Sequence, residues 1–208
     1  MVSWLISIKR RFPRFWRIVE DVNGAFFHLR HSDILQISEN VLEETSPLGY
    51  NFSLAVEDDA SSLSSFLSGQ PEDSLRYFQP HGFDEKTMRR IIKSYSYLAM
   101  KVTDSVSGKI SGYFFLRCFC DNRAFAGLLV DNETRNKGVG TAIWMACSMI
   151  CQRLGVRMFA TIAEKNLPSL RSCGKGTEII AKEKLSGDYI LVECTIKDNI
   201  NKIISPVL

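Results

Sequence analysis

Apolar and polar positions follow two patterns along residues 50–196, and their order predicts a mixed α/β fold. Short apolar-rich runs bounded by Gly, Pro, Asn or Asp are typical of strands. Between them, apolar positions recur three and four residues apart, as on one face of a helix. The predicted strands are residues 51–56, 97–103, 112–119, 124–130, 156–162 and 189–196. The predicted helices lie in residues 60–68, 72–80, 85–92, 139–154 and 168–173.

Three of the predicted strands follow one another without a helix between them. Ser107-Gly108 and Asp121-Asn122 lie in their connections. Such dipeptides favour the tight turns that join antiparallel strands. We therefore expect an α+β arrangement whose sheet is largely antiparallel.

Residues 1–48 do not fit this pattern and are predicted to form an N-terminal extension to a domain over residues 49–208. Asn23-Gly24 separates two apolar-rich runs, residues 16–22 and 25–31. Asn-Gly in that context predicts a β-hairpin. A helix capped by Ser32 should follow, and Pro47 and Gly49 should end it.

The charge of the chain is concentrated in its first residues. The 208 residues carry a net charge of +3, of which residues 1–31 hold +4, so the remainder sums to −1. This patch is too small to predict a nucleic-acid-binding protein. Residues 1–19 mix aromatic and basic residues, so they either pack on the domain or contact an anionic membrane surface. Pro13 interrupts a single helix there, which favours packing.

The cysteines do not indicate a metal site. Six are present without a pair of C-x-x-C motifs, and only three histidines accompany them. A structural zinc site is therefore not expected. No signal-peptide pattern is visible, so we expect reduced thiols and a cytoplasmic location.

The most informative segment is residues 128–142, L-L-V-D-N-E-T-R-N-K-G-V-G-T-A, where a predicted strand passes into a helix. Gly138 and Gly140 lack Cβ atoms, so a ligand can approach the backbone there. Free N–H groups at the positive end of a helix bind pyrophosphate, and Arg135 and Lys137 add positive charge. The spacing fits neither a P-loop nor a dinucleotide fingerprint, because residue 143 is Ile143 and no Gly lies five residues before a Gly-Lys pair.

The segment R-N-K-G-V-G resembles the R/Q-x-x-G-x-G/A motif of the GCN5-related N-acetyltransferases (GNAT). The preceding L-L-V-D-N-E-T is similar to the fourth strand of that family, and the order of elements is similar over residues 50–196. The resemblance implies a twisted, mostly antiparallel central sheet flanked by helices. It also implies acetyl-CoA as co-substrate and an amine as acceptor.

The resemblance further implies which residues bind the cofactor. The backbone of the fourth strand would bind the pantetheine arm, and the following loop would bind the pyrophosphate. N-L-P-S, near residue 168, resembles a family segment that contacts the cofactor arm. The implied residues are Leu128, Leu129, Val130, Arg135, Asn136, Lys137, Gly138, Val139, Gly140, Thr141, Asn166 and Ser169.

Three residues are candidates for acid–base catalysis. Where many family members place a tyrosine acid, this chain has Cys173, although a small buried residue is the favoured interpretation. Asp131 follows the fourth strand, which points toward the cofactor. His81 has a suitable titration range, although a polar turn residue explains it more simply.

These observations predict transfer of an acetyl group from acetyl-CoA to a primary amine of a small molecule. F-Q-P-H-G-F-D at residues 78–84 is similar to a segment of family members that act on amino sugars or related metabolites. Two alternatives stay open. One is a protein or peptide N-acetyltransferase, and the other is a non-catalytic acyl-CoA-binding or membrane-associated module.

Overall fold

The computed structural model describes residues 13–197, with side chains from residue 18 onward. The helices are α1 (Pro13–Arg30), α2 (Ile34–Thr45), α3 (Ala60–Ser68), α4 (Glu72–Leu75), α5 (Glu85–Ile92), α6 (Val139–Arg153) and α7 (Leu167–Gly176). The strands are β1 (Tyr50–Leu54), β2 (Tyr97–Asp104), β3 (Ile110–Phe119), β4 (Arg123–Val130), β5 (Arg157–Ala163), β6 (Glu178–Lys184) and β7 (Tyr189–Thr195).

Within residues 13–197 the strands form one seven-stranded sheet in the order β1-β2-β3-β4-β5-β7-β6. Each neighbouring pair is antiparallel except β4 and β5, which are parallel. The mixed α/β fold with a mostly antiparallel sheet is therefore confirmed.

Helices cover both faces of the sheet. Successive side chains of a strand point to opposite faces, so β3 contributes to the core on each side. Tyr113 and Phe115 of β3 belong to a core formed with α3 and α5. Phe114 and Leu116, which alternate with them, belong to a larger core formed with α2 and α6. This alternation fixes which face of the sheet each helix covers.

The two parallel strands, β4 and β5, separate along their length. Residues 123–125 of β4 pair with residues 157–159 of β5, and the pairing ends there. Both strands continue, to Val130 and to Ala163. The sheet therefore splits from about Ala126 onward, while the other edge of β4 stays paired with β3 as far as Val130.

The predicted N-terminal hairpin is wrong, because α1 runs without interruption through Asn23-Gly24. A Cβ at Gly24 would lie 2.6 Å from Ser96 Oγ and 2.7 Å from the Ser96 backbone nitrogen, so glycine allows the helix to approach β2 closely. The Asn23 side chain donates to Cys118 O and accepts from the Cys120 N–H. Asn23 and Gly24 therefore hold α1 against the sheet and do not form a turn. In the part of the chain that the structure describes, no helix is both long and apolar enough to span a bilayer.

Candidate functional site

The segment after β4 bends sharply into α6. Asn136 and Gly138 both have positive φ, +62° and +82°. The first helical hydrogen bond runs from Ala142 N–H to Gly138 O at 3.0 Å. The N–H groups of Val139, Gly140 and Thr141 therefore have no acceptor within the helix. These donors lie at the positive end of the helix dipole, which is an anion-binding arrangement.

The two glycines of this turn leave room for a ligand in different ways. A Cβ at Gly138 would meet no atom within 4 Å, and at Gly140 the nearest atom would be Ser172 Cβ at 3.6 Å. Ser172 in turn accepts from the Trp144 indole N–H at 3.2 Å and donates to Ser169 O at 3.0 Å. The first turn of α6 is thus held against α7, while the N-terminal end of α6 stays accessible.

An open cleft of about 800 Å³ extends from this turn along the split between β4 and β5. We call it the central cleft. Ala126–Val130 line one side and Ala160–Ala163 line the other. Residues of α7 and of the segment at Asp73–Phe78 complete its walls.

The backbone of β4 offers hydrogen-bonding groups to the central cleft. Asp131 N–H donates to Ser111 O at 2.9 Å, which fixes the pattern of the β3–β4 pair. In an antiparallel pair, every second residue directs its N–H and C=O away from the partner strand. Ala126, Leu128 and Val130 therefore face the split, whereas the Leu129 backbone faces β3. An extended amide-containing ligand fits along this edge.

Ten of the twelve predicted cofactor-binding residues line the central cleft. They are Leu128, Leu129, Val130, Arg135, Asn136, Gly138, Gly140, Thr141, Asn166 and Ser169. The side chain of Val139 is 1% exposed and belongs to the core. Lys137 is exposed but is not part of the lining. Of Val139, only the backbone is thus placed to serve the anion site.

Arg135 is fixed at the rim of the cleft. Its guanidinium donates to Ser74 Oγ at 2.9 Å, and Ser74 Oγ lies 3.4 Å from Asn132 Oδ1. This contact joins α4 to the turn before α6. Arg135 therefore presents a positive charge at the anion site from a defined position.

Asp131 is placed in a structural role. Its two carboxylate oxygens accept from Gln70 Nε2 at 3.1 Å and from Glu133 N–H at 2.9 Å. The second bond caps a short 3-10 helix, Asn132–Thr134. Asp131 is not part of the lining of the central cleft, so its placement does not support a role as a base.

Cys173 lies in the interior. It is 0% exposed, and its Sγ lies 3.6 Å from Cys194 Sγ and from Thr177 Oγ1. The hydrogen bond with Cys173, together with burial, raises the pKa of the Cys194 thiol. Cys173 does not reach the central cleft, so the interpretation as a small buried residue is the one that its placement supports.

His81 lies in an aromatic environment next to the cleft wall. Its Nε2 is 3.1 Å from Tyr113 Oη, and its Nδ1 is 2.8 Å from Gly82 O. Burial lowers the pKa of His81, which favours the neutral ring. With Nδ1–H donating to Gly82 O, Nε2 accepts from the Tyr113 hydroxyl. Both nitrogens are thus engaged and His81 does not line the cleft.

A second, smaller cavity of about 200 Å³ adjoins the central cleft. Tyr77, Ala163 and Lys165 line both. Arg76 and the β6–β7 turn, Gly187–Tyr189, line only the smaller one. Lys165 Nζ lies 3.6 Å from an Asp188 carboxylate oxygen across it. The sequence does not predict this cavity, because its lining comes from three separate segments of the chain.

Solved structures of known proteins share this fold. The ribosomal-protein-S5-alanine acetyltransferase from Vibrio fischeri matches with a TM-score of 0.59 at 16% identity, over 74% of this chain and 96% of that chain. The GNAT domain of PAT from S. lividans matches with a TM-score of 0.58 at 17% identity, over 69% and 89%. AAC(6')-Ib in complex with paromomycin and acetyl-CoA matches with a TM-score of 0.54 at 14% identity, over 76% and 99%.

At these identities the structural matches show the fold alone. None of the curated protein sequences matches the chain. The profile of a sequence family supplies the stronger finding, since residues 63–174 match it and span more than half of the chain. That profile is described as the acetyltransferase (GNAT) family, and the chain belongs to this family.

Proposed function

We propose that this acetyltransferase transfers the acetyl group of acetyl-CoA to the primary amine of a small molecule by direct attack. The observation that carries the proposal is the continuity of the site. An anion-binding helix end lies at one part of the central cleft, and a small cavity adjoins the cleft at Tyr77, Ala163 and Lys165. A long anionic co-substrate and a compact acceptor fit these two spaces.

The central cleft suits acetyl-CoA in both charge and hydrogen bonding. The N–H groups at the start of α6 and the Arg135 guanidinium would bind the pyrophosphate. The outward backbone groups of Leu128 and Val130 would bind the amides of the pantetheine arm. Bound acetyl-CoA supplies a thioester carbonyl as the electrophile, and backbone N–H groups near it would stabilise the oxyanion.

The size of the smaller cavity supports a small acceptor. Its volume is about 200 Å³, whereas pockets for drug-sized ligands have roughly 300–1,000 Å³. Its charged residues are Arg76, Lys165 and Asp188, so it is not an acidic site. A polyamine would require acidic residues, which leaves compact amines such as amino sugars as the better match.

Two carboxylates that precede α3 form ion pairs within the chain. Glu57 pairs with Arg89 and Lys93, both at 3.0 Å. Asp59 pairs with Lys101. These carboxylates are neutralised by residues of the chain itself, so they do not form a surface for a polycationic acceptor.

Tyr77 supplies a hydroxyl group among the residues that line both cavities. It lines both cavities, where the amine and the thioester would meet. The amine must be neutral to attack, and the departing thiolate needs a proton. We assign the Tyr77 hydroxyl as the donor of that proton, while the proton of the amine passes to water.

An acceptor panel tests the proposed function. Purified chain and acetyl-CoA are mixed with hexosamines, amino acids, a polyamine, an aminoglycoside and a peptide with a free N-terminal alanine, and CoA release is followed. We expect turnover with one or more compact amines above the slow hydrolysis of acetyl-CoA alone. If the peptide is the only acceptor that is turned over, the acceptor is a protein N-terminus and not a small molecule.

A further inference from the structure

The smaller cavity next to the central cleft carries a positive charge. Its charged lining residues are Arg76, Lys165 and Asp188, so two cations and one carboxylate give the lining a net charge of +1. An acceptor whose only charged group is its amine arrives as a cation and is repelled there. Complementary charge across a binding site selects between ligands of similar size. The cavity therefore favours an amine that also carries a negative group.

Arg76 lines this cavity with an unpaired guanidinium. Its Cζ lies over the Tyr77 ring, 5.4 Å from the ring centroid. Among the residues whose side chains the structure describes, the Arg76 guanidinium has no ion pair and no hydrogen bond. A guanidinium that lies over an aromatic ring keeps its N–H groups free, because they point outward in its own plane. Carboxylates and phosphates bind such a group through two parallel hydrogen bonds.

Lys165 is a second cation that is available to a ligand. Its Nζ lies 3.6 Å from an Asp188 carboxylate oxygen, and the two side chains are 75% and 65% exposed. An exposed ion pair of this length contributes little to stability, because solvent screens both charges. An anionic ligand can therefore attract Lys165 without breaking a strong contact.

Backbone contacts fix two walls of the smaller cavity. On one side, the Glu164 N–H donates to Asp188 O at 2.8 Å, which holds the β6–β7 turn against the end of β5. On the other side, the Arg76 N–H donates to Glu72 O at 2.8 Å and so continues the last turn of α4. A ligand that binds between fixed walls loses less free energy to the ordering of the site.

The cations of the central cleft are separate from Arg76. Arg135, Arg171 and Lys175 line the cleft and not the smaller cavity, whereas Arg76 lines the smaller cavity and not the cleft. The N–H groups at the start of α6 add to the positive charge of the cleft. The phosphates of the co-substrate therefore have their own partners, and Arg76 is left for the acceptor.

We propose that Arg76 binds a carboxylate or a phosphate of the acceptor, so that the enzyme acetylates an acidic amine. The inference rests on the proposed function, which places the acceptor in the smaller cavity. Lys165 contacts the same anion. Tyr77 lies under the Arg76 guanidinium and lines both cavities, so an acceptor anchored at Arg76 reaches their junction with its amine over a short spacer. Amino acids and phosphorylated amino sugars have this form.

Binding of small probes to the chain saturated with CoA tests the inference without requiring turnover. The probes are glucosamine 6-phosphate with glucosamine, and glycine with glycinamide, and the members of each pair differ in one anionic group. Ligand-observed NMR titrations give the dissociation constants. In at least one pair the anionic member should bind at least about tenfold more tightly, and less so as ionic strength rises. The first pair reports a phosphate and the second a carboxylate.

Substitutions of Arg76 then identify the residue that causes the preference. Arg76→Gln should bring the ratio of the two dissociation constants to about one. Arg76→Lys keeps the charge but loses the paired donors, so it should keep part of the preference. Every variant is compared on the same two probes, so differences in amine basicity cancel. The matched control is Arg90→Gln, which removes an exposed arginine of α5 that lines neither cavity and should keep the full preference.

Three results would overturn the inference. They are the absence of a preference for the anionic member in both pairs, an equal preference in Arg76→Gln, and a loss of affinity for CoA itself in Arg76→Gln, since Arg76 would then bind the co-substrate. The proposed function fails by a different result, in which the peptide is the only acceptor that is acetylated. Binding of an anionic probe that depends on Arg76 would support the anion site in that case as well.

Discussion

Replacing Gly138 by alanine separates ligand binding from backbone strain. Gly138 has a φ of +82°, and a Cβ there would meet no atom within 4 Å. The left-handed conformation costs a residue with a side chain about 1–2 kcal/mol. The new methyl group would also project into open space at the anion site. We therefore expect a loss of stability and, separately, a loss of affinity for acetyl-CoA.

Gly108 provides a matched control for this substitution. It has a φ of +68° and likewise nothing within 4 Å of a Cβ, but it lies in the β2–β3 turn and does not line the cleft. Gly108→Ala should lower the free energy of unfolding by a similar amount, about 1–2 kcal/mol. Urea denaturation measures this loss. Its affinity for acetyl-CoA should be unchanged.

Titration calorimetry then distinguishes the two variants. Gly138→Ala should bind acetyl-CoA at least roughly tenfold more weakly than the unmodified chain, which corresponds to about 1.4 kcal/mol. Equal affinity of Gly138→Ala and Gly108→Ala would refute the assignment of the pyrophosphate to this turn, whatever their stabilities.

Three further predictions concern the proton-transfer candidates. Tyr77→Phe should lower kcat about a hundredfold with little change in the KM for acetyl-CoA, and unchanged kcat in steady-state kinetics would exclude it as the acid. Cys173→Ala should keep most of the turnover while lowering stability by about 1 kcal/mol, and a hundredfold loss of kcat would restore Cys173 as a catalytic group. His81→Gln should flatten the fall in melting temperature below pH 6.5, because burial lowers the pKa of His81 and the unfolded chain takes up that proton first as the pH falls. An unchanged pH profile would show that His81 does not contribute.

The strand–turn–helix at residues 128–142 was predicted well because its signals are local. Gly138 lies at the N-cap of α6 in the left-handed region, where glycine is favoured without any knowledge of tertiary contacts. The N-terminus of α5 also depends on a local contact, because Asp84 Oδ1 accepts from the Thr87 N–H at 3.0 Å.

The predictions that failed depended on distant contacts. Asn23-Gly24 has the local signature of a turn, but its contacts with Ser96 and Cys118 lie more than seventy residues along the chain. β6 was missed because it is an edge strand beyond β7 with mostly exposed side chains, so no apolar alternation marks it. In both cases the contacts that decide the structure involve residues far apart along the chain, so a short stretch of sequence does not contain them.

The residues near the proposed acceptor were predicted less completely than the cofactor-binding residues. The motif residues follow one another along the chain, so their proximity is given by the sequence. Tyr77, Lys165 and Asp188 come from three separate segments and meet only in the folded chain. Cys173 was considered from its position in a family motif, yet its side chain lies beside Cys194 in the interior.

A structure of the chain with bound CoA tests the central claim most directly. We predict that the pyrophosphate contacts the N–H groups at the start of α6. We also predict that the pantetheine amides bond to the backbone of Leu128 and Val130, with the thiol near Tyr77. CoA bound elsewhere, or a central cleft left empty at saturating CoA, would contradict the account.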